Sequence, residues 1–259
     1  MASSGQAAPR FVHLAAHPVR WRLLTALATS DYRVRELVAL VGEPQNLVSY
    51  HLRLLRNSGL VTASRSSFDG RDSYYHLDLD RCAQGLSDTG AALHPRLRTE
   101  SAPAPHLAAE HSHRPSVLFL CTGNSARSPM AEALLRHRAP GFAEVVSAGS
   151  HPKPRLHPNA VRALRDEFGI DIADQQPRHL NSVIKRRFDH VISLCDKARE
   201  VCPEFPEHPR QAHWSIPDPA TADGSDQADY PAFKRTATDI DTRIRYLLPV
   251  LVETQETQP

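Results

Sequence analysis

At 259 residues and a net charge of +2, the chain is long enough for two domains and too neutral for a polybasic nucleic-acid or membrane coat. No run approaches the roughly 18 apolar residues of a membrane span, and the opening MASSGQAAPRFVHLAAHP lacks the apolar core of a secretory signal. A cytoplasmic protein without membrane contact is the expectation, its four cysteines reactive rather than a disulfide scaffold.

Residues 17–28 space Val19, Leu23, Leu24 and Leu27 at helical intervals. Asp31 is a candidate cap for a second helix over 34–41, which Gly42 stops. Pro44 starts a third helix that Gly59 ends. Its Leu47, Val48, Leu52 and Leu55 share one side, and Gln45, Asn46, Ser49, Tyr50 and Arg53 share the other. Two short helices joined at a glycine turn, the second polar and basic on its free side, describe a helix-turn-helix. Residues 60–65 and 73–78 read as strands, and Asp69-Gly70 between them is a hairpin signal. The pattern predicts an N-terminal winged helix, mostly α with a β wing, over residues 1–98.

The stretch His51-Leu52-Arg53-Leu54-Leu55-Arg56-Asn57-Ser58-Gly59-Leu60-Val61 resembles the arsenic-responsive repressor (ArsR) family of winged-helix regulators. The resemblance covers about residues 12–98 and implies a homodimer on operator DNA. It sets Gln45, Asn46, Ser49, Tyr50 and Arg53 near bases and Arg65 and Arg71 on the wing near phosphates. Arsenite-sensing members carry a cysteine pair in the first helix of the motif, where this chain reads Glu36-Leu37-Val38-Ala39-Leu40-Val41. Cys82 alone cannot supply the soft thiolates that As(III) asks for. It is expected to be an inert thiol in a dimerisation helix, and the inducer site stays open.

Residues 99–114, TESAPAPHLAAEHSHR, have no periodicity and read as a flexible linker. His106, His111 and His113 lack partner ligands nearby in sequence, so no metal site is expected there.

Past the linker, Val117-Leu118-Phe119-Leu120 ends at Cys121, and Arg127-Ser128-Pro129 opens a helical pattern. This reads as strand, tight loop, helix, with Pro129 in the first turn. The amides of Thr122, Gly123, Asn124, Ser125 and Ala126, at a helix N-terminus, predict an anion nest, with Gly123 and Asn124 suited to positive φ. Arg127 can grip two oxygens of a tetrahedral oxyanion. The helix dipole and the guanidinium are both expected to ease ionisation of Cys121.

The remaining elements alternate. A strand is predicted over 143–150, a helix over 157–168, a helix over 179–187 and a strand over 189–194. Another strand follows over 211–216 and a long helix over 231–252. Residues 115–259 therefore predict an α/β three-layer sandwich on a four-stranded parallel sheet. Cys121 and Cys195 each stand just past a strand's C-terminal end, where such sheets place ligands.

The run Cys121-Thr122-Gly123-Asn124-Ser125-Ala126-Arg127-Ser128-Pro129 resembles the phosphate loop of the low-molecular-weight protein tyrosine phosphatase family, which includes thiol-coupled arsenate reductases. The resemblance implies Cys121 as nucleophile, Arg127 and the loop amides as oxyanion cradle, Ser128 supporting the thiolate, and Asp218 in Ile216-Pro217-Asp218-Pro219-Ala220 as general acid. Cysteine arithmetic alone leaves Cys195 and Cys202 as a functional pair or as two unrelated thiols. Thioredoxin-coupled reductases carry a pair at this spacing, which implies reduction of arsenate to arsenite by a relay from Cys121 through Cys195 to Cys202. The reductant would be thioredoxin or a low-molecular-weight thiol, with no bound cofactor.

In a regular helix the Cα atoms of Cys195 and Cys202 would lie about 10.5 Å apart. A disulfide wants less than roughly 7 Å, so the segment must bend during the cycle. Some reductases of this family bind potassium beside the loop. Asn124, Glu132 and Ser147 match ligand positions, but Arg178 stands at the remaining one and no metal is expected. The alternatives are a tyrosine phosphatase fused to a regulator, indifferent to loss of Cys195 and Cys202, and a non-catalytic repressor sensing oxyanion or redox state.

Overall fold

Val19, Leu23, Leu24 and Leu27 are buried together with Leu37, Val48, Leu52 and Leu55, as their spacing requires. The computed structural model describes residues 8–98, 114–203, 205, 209–220 and 226–256. The chain divides into two compact units. Residues 99–113 of the predicted linker, with its three histidines, lie outside the described residues.

The N-terminal unit contains α1 (Arg10–Ala15), α2 (Pro18–Leu27), β1 (Tyr32–Arg33), α3 (Val34–Val41), α4 (Gln45–Asn57), β2 (Val61–Arg65), β3 (Ser73–Leu77) and α5 (Leu79–Leu93). The expected cap of α3, Asp31, is not its cap. Arg33 is the N-cap, and Glu36 reaches back to accept its backbone N–H at 2.7 Å, which serves that donor without Asp31. Gly42, at φ 70°, ends α3 in the left-handed conformation and turns the chain into α4. β2 and β3 pair antiparallel from Val61↔Leu77 to Arg65↔Ser73 as the predicted wing, and β1 adds a third strand the sequence did not announce.

Gln45, Asn46, Ser49, Tyr50 and Arg53 form the exposed face of α4, and Arg65 and Arg71 are exposed on the wing. α5 buries none of its residues; Leu86 and Leu93 are exposed, Leu86 beside Trp21 of α2. An apolar cavity of about 490 Å³ lies there, lined by Phe11, Val12, Ala15, Trp21 and Leu86 among others. Cys82, half-buried in α5, is pushed up to about 11 by burial, with Asp78 adding to the effect. That suits an inert thiol.

His51 was not singled out by its spacing, yet it is buried in α4 and its ring lies 4.3 Å from that of His17. Burial, then the neighbouring His17 and Arg20, lower its pKa. The unfolded chain, near the usual 6.5, therefore takes up the proton first. Stability of this unit is complete above that pH and falls as pH drops below it. Thermal midpoints measured from pH 7.5 down to 5.5 should decline, with a shallower decline in His51→Gln. Parallel declines in the two proteins would contradict this assignment.

The C-terminal unit contains β4 (Ser116–Cys121), α6 (Arg127–Arg138), β5 (Glu144–Gly149), α7 (Pro158–Phe168), β6 (His190–Ser193), α8 (Asp196–Glu200), β7 (Arg210–His213) and α9 (Asp226–Glu256). Its four strands are all parallel in the order β5-β4-β6-β7. Alternation along β4 sends Val117, Phe119 and Cys121 into one apolar cluster with α6, α7 and α9, and Leu118 and Leu120 into another with Leu180, Val183, Phe188 and Phe205.

The helix expected over 179–187 is a single 3-10 turn, Leu180–Ser182. Ser182 Oγ donates back to the His179 carbonyl at 2.7 Å, and His179 Nδ1 accepts from the Asn181 N–H, so side chains compete with helix propagation. α9 extends beyond the predicted 231–252 and runs through Pro231 and Pro249. Burial of Phe233, Ala237, Ile240, Ile244, Leu248 and Leu251 along one stripe outweighs those two breaks. Arg138 ties α6 to α9 through two 2.7 Å bonds to Asp241.

Candidate active site

Cys121 ends β4 and Arg127 begins α6, so the loop between them closes on the N-terminus of a helix. The positive φ falls on Asn124 (43°) and not on Gly123, which corrects half of the expectation. That backbone aims the Asn124 N–H at Cys121 Sγ, 3.2 Å away. The Asn124 amide group donates to Ser128 Oγ and to Ser147 Oγ, both at 2.9 Å, and its carbonyl accepts the Arg178 N–H at 2.6 Å. Ser128 Oγ has thus taken a donor from Asn124 and is left to donate to Cys121 Sγ, 2.9 Å away.

Burial pushes the Cys121 thiol up, while the Arg127 guanidinium and the Ser128 hydroxyl pull it down; the net direction is upward. The expectation of an easily ionised thiol is corrected accordingly, because the loop is deeper in the protein than a helix terminus alone implies. Arg127 is itself buried. It donates to the Ile216 carbonyl at 2.9 Å and to Asp218 Oδ2 at 2.8 Å. Asp218, in the loop after β7, is exposed and brought to the cradle by this pair.

Cys195 is buried in the same apolar cluster as Cys121, and its Sγ lies 3.3 Å from Thr122 Oγ1. It caps α8, which covers only 196–200; Val201 has already left the helix. Cys202 therefore stands outside that helix, half-buried against the opposite cluster with Leu118 and Phe205, and burial pushes its thiol up to about 11. The structure brings Cys121, Arg127, Ser128, Asp218 and Cys195 to one site, while Cys202 sits apart from it.

The sequence reading missed the wall formed by residues 150–158. His151, Lys153 and His157 donate backbone N–H bonds of 2.8–2.9 Å to the carbonyls of Thr122, Gly123 and Ser125. This segment and the loop enclose a cavity of about 800 Å³, lined by Cys121, Arg127, His151, Lys153, Arg155 and Asp218 among others, with no Phe, Tyr or Trp among the described residues that line it. The signal was a proline-spaced basic run, His151-Pro152-Lys153-Pro154-Arg155, directly after a strand's C-terminal end.

The residues that match potassium-ligand positions, where no metal was expected, bond to other side chains. Asn124 and Ser147 bond each other, and the buried Glu132 Oε1 lies 2.7 Å from Arg136 Nη2 and 3.6 Å from Arg178 Nη1. A cation does not fit beside that guanidinium pair.

The model of the low molecular weight phosphotyrosine protein phosphatase family matches residues 116–257, and that of the arsR family of bacterial regulatory proteins matches residues 17–63. An arsenate reductase of Shouchella clausii is 40% identical over 129 residues, which cover 50% of this chain and 91% of that protein. The arsenate reductase of Bacillus subtilis is 39% identical over the same shares of the two chains. Among solved structures, the thioredoxin-dependent arsenate reductase of Corynebacterium glutamicum is 25% identical, with a TM-score of 0.44, covering 90% of this chain and 98% of that one. No helix among the described residues is long and apolar enough to cross a membrane. The chain belongs to the low molecular weight phosphotyrosine protein phosphatase family, its C-terminal half related to arsenate reductases, and it carries an arsR-type helix-turn-helix ahead of that half.

Proposed function

We propose that the C-terminal unit reduces arsenate to arsenite through a thiol relay, and that the N-terminal unit binds operator DNA as a homodimer. The observation that carries the enzymatic reading is the buried thiol of Cys195 set against the phosphate loop, 3.3 Å from Thr122 Oγ1. Hydrolysis of a phosphate ester needs no such thiol. A cavity rimmed by Lys153 and Arg155 and lacking aromatic walls also suits a small, highly charged oxyanion better than an aryl phosphate.

In this reading dianionic arsenate takes the thiol proton as it enters, since burial favours the neutral thiol. It displaces Asp218 from the Arg127 fork. Cys121 Sγ forms a bond to arsenic, and an oxygen leaves as water, its second proton being the one taken from the thiol and passed on by the released Asp218 carboxylate. Cys195 then attacks Cys121 Sγ. The sulfur–sulfur bond forms, the sulfur–arsenic pair of electrons stays on arsenic, and arsenite departs as As(III). Attack of Cys202 on Cys195 frees Cys121, and an external dithiol such as thioredoxin, or a small thiol, reduces the Cys195–Cys202 disulfide.

Arsenate-dependent NADPH oxidation with thioredoxin and thioredoxin reductase, run beside a small-thiol system, tests the enzyme. Turnover in either supports the reading. Efficient hydrolysis of an aryl phosphate that survives Cys195→Ser, without arsenate reduction, would replace it by a phosphatase.

The regulatory reading rests on the arsR match and on the exposed polar face of α4, with Arg65 and Arg71 on the wing. The uncovered apolar cavity between α1, α2 and α5 supports a second copy as its cover.

A further inference from the structure

Edge strand β5 and four arginines line a second cavity, of about 390 Å³, that shares no residue with the Cys121 pocket. The four are Arg114, Arg136, Arg178 and Arg186. Among the described residues two carboxylates answer them. Glu144 pairs with Arg186, and the buried Glu132 pairs with Arg136 at 2.7 Å and, at 3.6 Å, with Arg178. Four guanidiniums against two carboxylates leave two positive charges in excess among the described residues.

The four side chains are unequally committed. Arg136 is spent on Glu132 and on the Val145 carbonyl, 2.6 Å away. Arg114 has no hydrogen-bond or ion-pair partner among the described residues. The Arg178 head is part-exposed and touches Glu132 only at long range. Among the described residues Arg186 has one carboxylate bond, to Glu144, and its guanidinium also lies 5.6 Å from the Phe188 ring centroid. Guanidinium forks converging on one polar cavity match the oxygens of a tetrahedral dianion two at a time, and hold it more firmly than point charges would.

We propose that this cavity is an accessory oxyanion site, taking inorganic phosphate or arsenate, or the phosphate end of a small organic phosphate, on Arg114, Arg178 and Arg186. The site adjoins the catalytic loop through the main chain of Arg178. Its N–H donates to Asn124 Oδ1 at 2.6 Å, and its carbonyl accepts the Gly149 N–H at 2.9 Å. The inference stands independently of the arsenate-reducing activity.

The test uses the full chain carrying Arg127→Ala, which silences the catalytic cradle, titrated with inorganic phosphate by calorimetry at low ionic strength. Saturable binding is expected. It should weaken by about tenfold or more when Arg114→Gln and Arg186→Gln are added, the effect of losing charge-assisted hydrogen bonds. Arg114→Gln alone, at a residue that is exposed and unpartnered among the described residues, should already weaken it with no shift in thermal midpoint. Glycerol 3-phosphate binding more tightly than inorganic phosphate identifies an organic phosphate as the ligand, and weaker binding identifies the free oxyanion. Absence of saturable binding in the Arg127→Ala chain, or binding indifferent to both glutamines, overturns the site.

Discussion

Cys202→Ser will reduce one equivalent of arsenate per chain and then stop, with Cys121 joined to Cys195. The two buried thiols sit on the same side of the sheet against the loop, so the first disulfide needs no help from Cys202. That disulfide forms in a buried pocket, out of reach of a bulky dithiol. Wild type should therefore turn over many times, and the variant should show a burst of about one arsenite per chain and a steady state lowered by about 10³-fold or more, the usual scale for removal of a covalent-catalysis group. Peptide mapping of the stalled protein should find the Cys121–Cys195 link. Sustained thioredoxin-driven turnover in Cys202→Ser would disprove the relay.

Gly149→Ala is expected to have the second largest effect, although Gly149 makes no contact with substrate in this mechanism. A Cβ at this position would lie 2.6 Å from the Thr122 carbonyl oxygen and 2.9 Å from the backbone N and the Cβ of Asn124. Those are mostly backbone atoms of the phosphate loop and cannot swing away. The loop must shift, and displacement of a reacting centre by about 1 Å can cost about 10²-fold in rate. We expect kcat/KM for arsenate reduction to fall by about 10²-fold, with a loss of about 1–3 kcal/mol in unfolding free energy from overpacking. A variant with near-native activity would show that the loop tolerates another position.

The sequence displayed the elements whose signals are local. The strand into Cys121, the helix behind Arg127 and Pro129, and the polar face of α4 could be read because apolar spacing and capping residues sit within one turn or one strand of each other. Burial could not be read so directly. Cys121 stands at a loop by sequence, yet packing of α6, α7 and α9 takes it out of water and reverses the expected direction of its pKa. The 150–158 wall was missed because its residues join the site through backbone bonds to Thr122, Gly123 and Ser125, which leave no residue-type signature. Residues 179–187 have helical apolar spacing, but Ser182 and His179 spend their bonds on a local turn. The arrangement of Asn124 between two serines and Arg178 depends on contacts across 23 and 54 positions of chain, a range at which no periodicity operates.

In the proposed relay, the opposed placement of the last two cysteines gives the cycle a visible state. Cys195 belongs to the cluster beneath α6 and α9, and Cys202 rests with Leu118 and Phe205 on the other. Joining them would draw Cys202 out of its apolar seat and rebuild the end of α8, so a spent molecule would differ in outline from a ready one. Thiol exchange is reversible and carries no direction of its own. A reductant that fits only the rebuilt contour would meet spent molecules and pass ready ones by, so that shape recognition and not redox potential alone would keep electrons flowing toward arsenic.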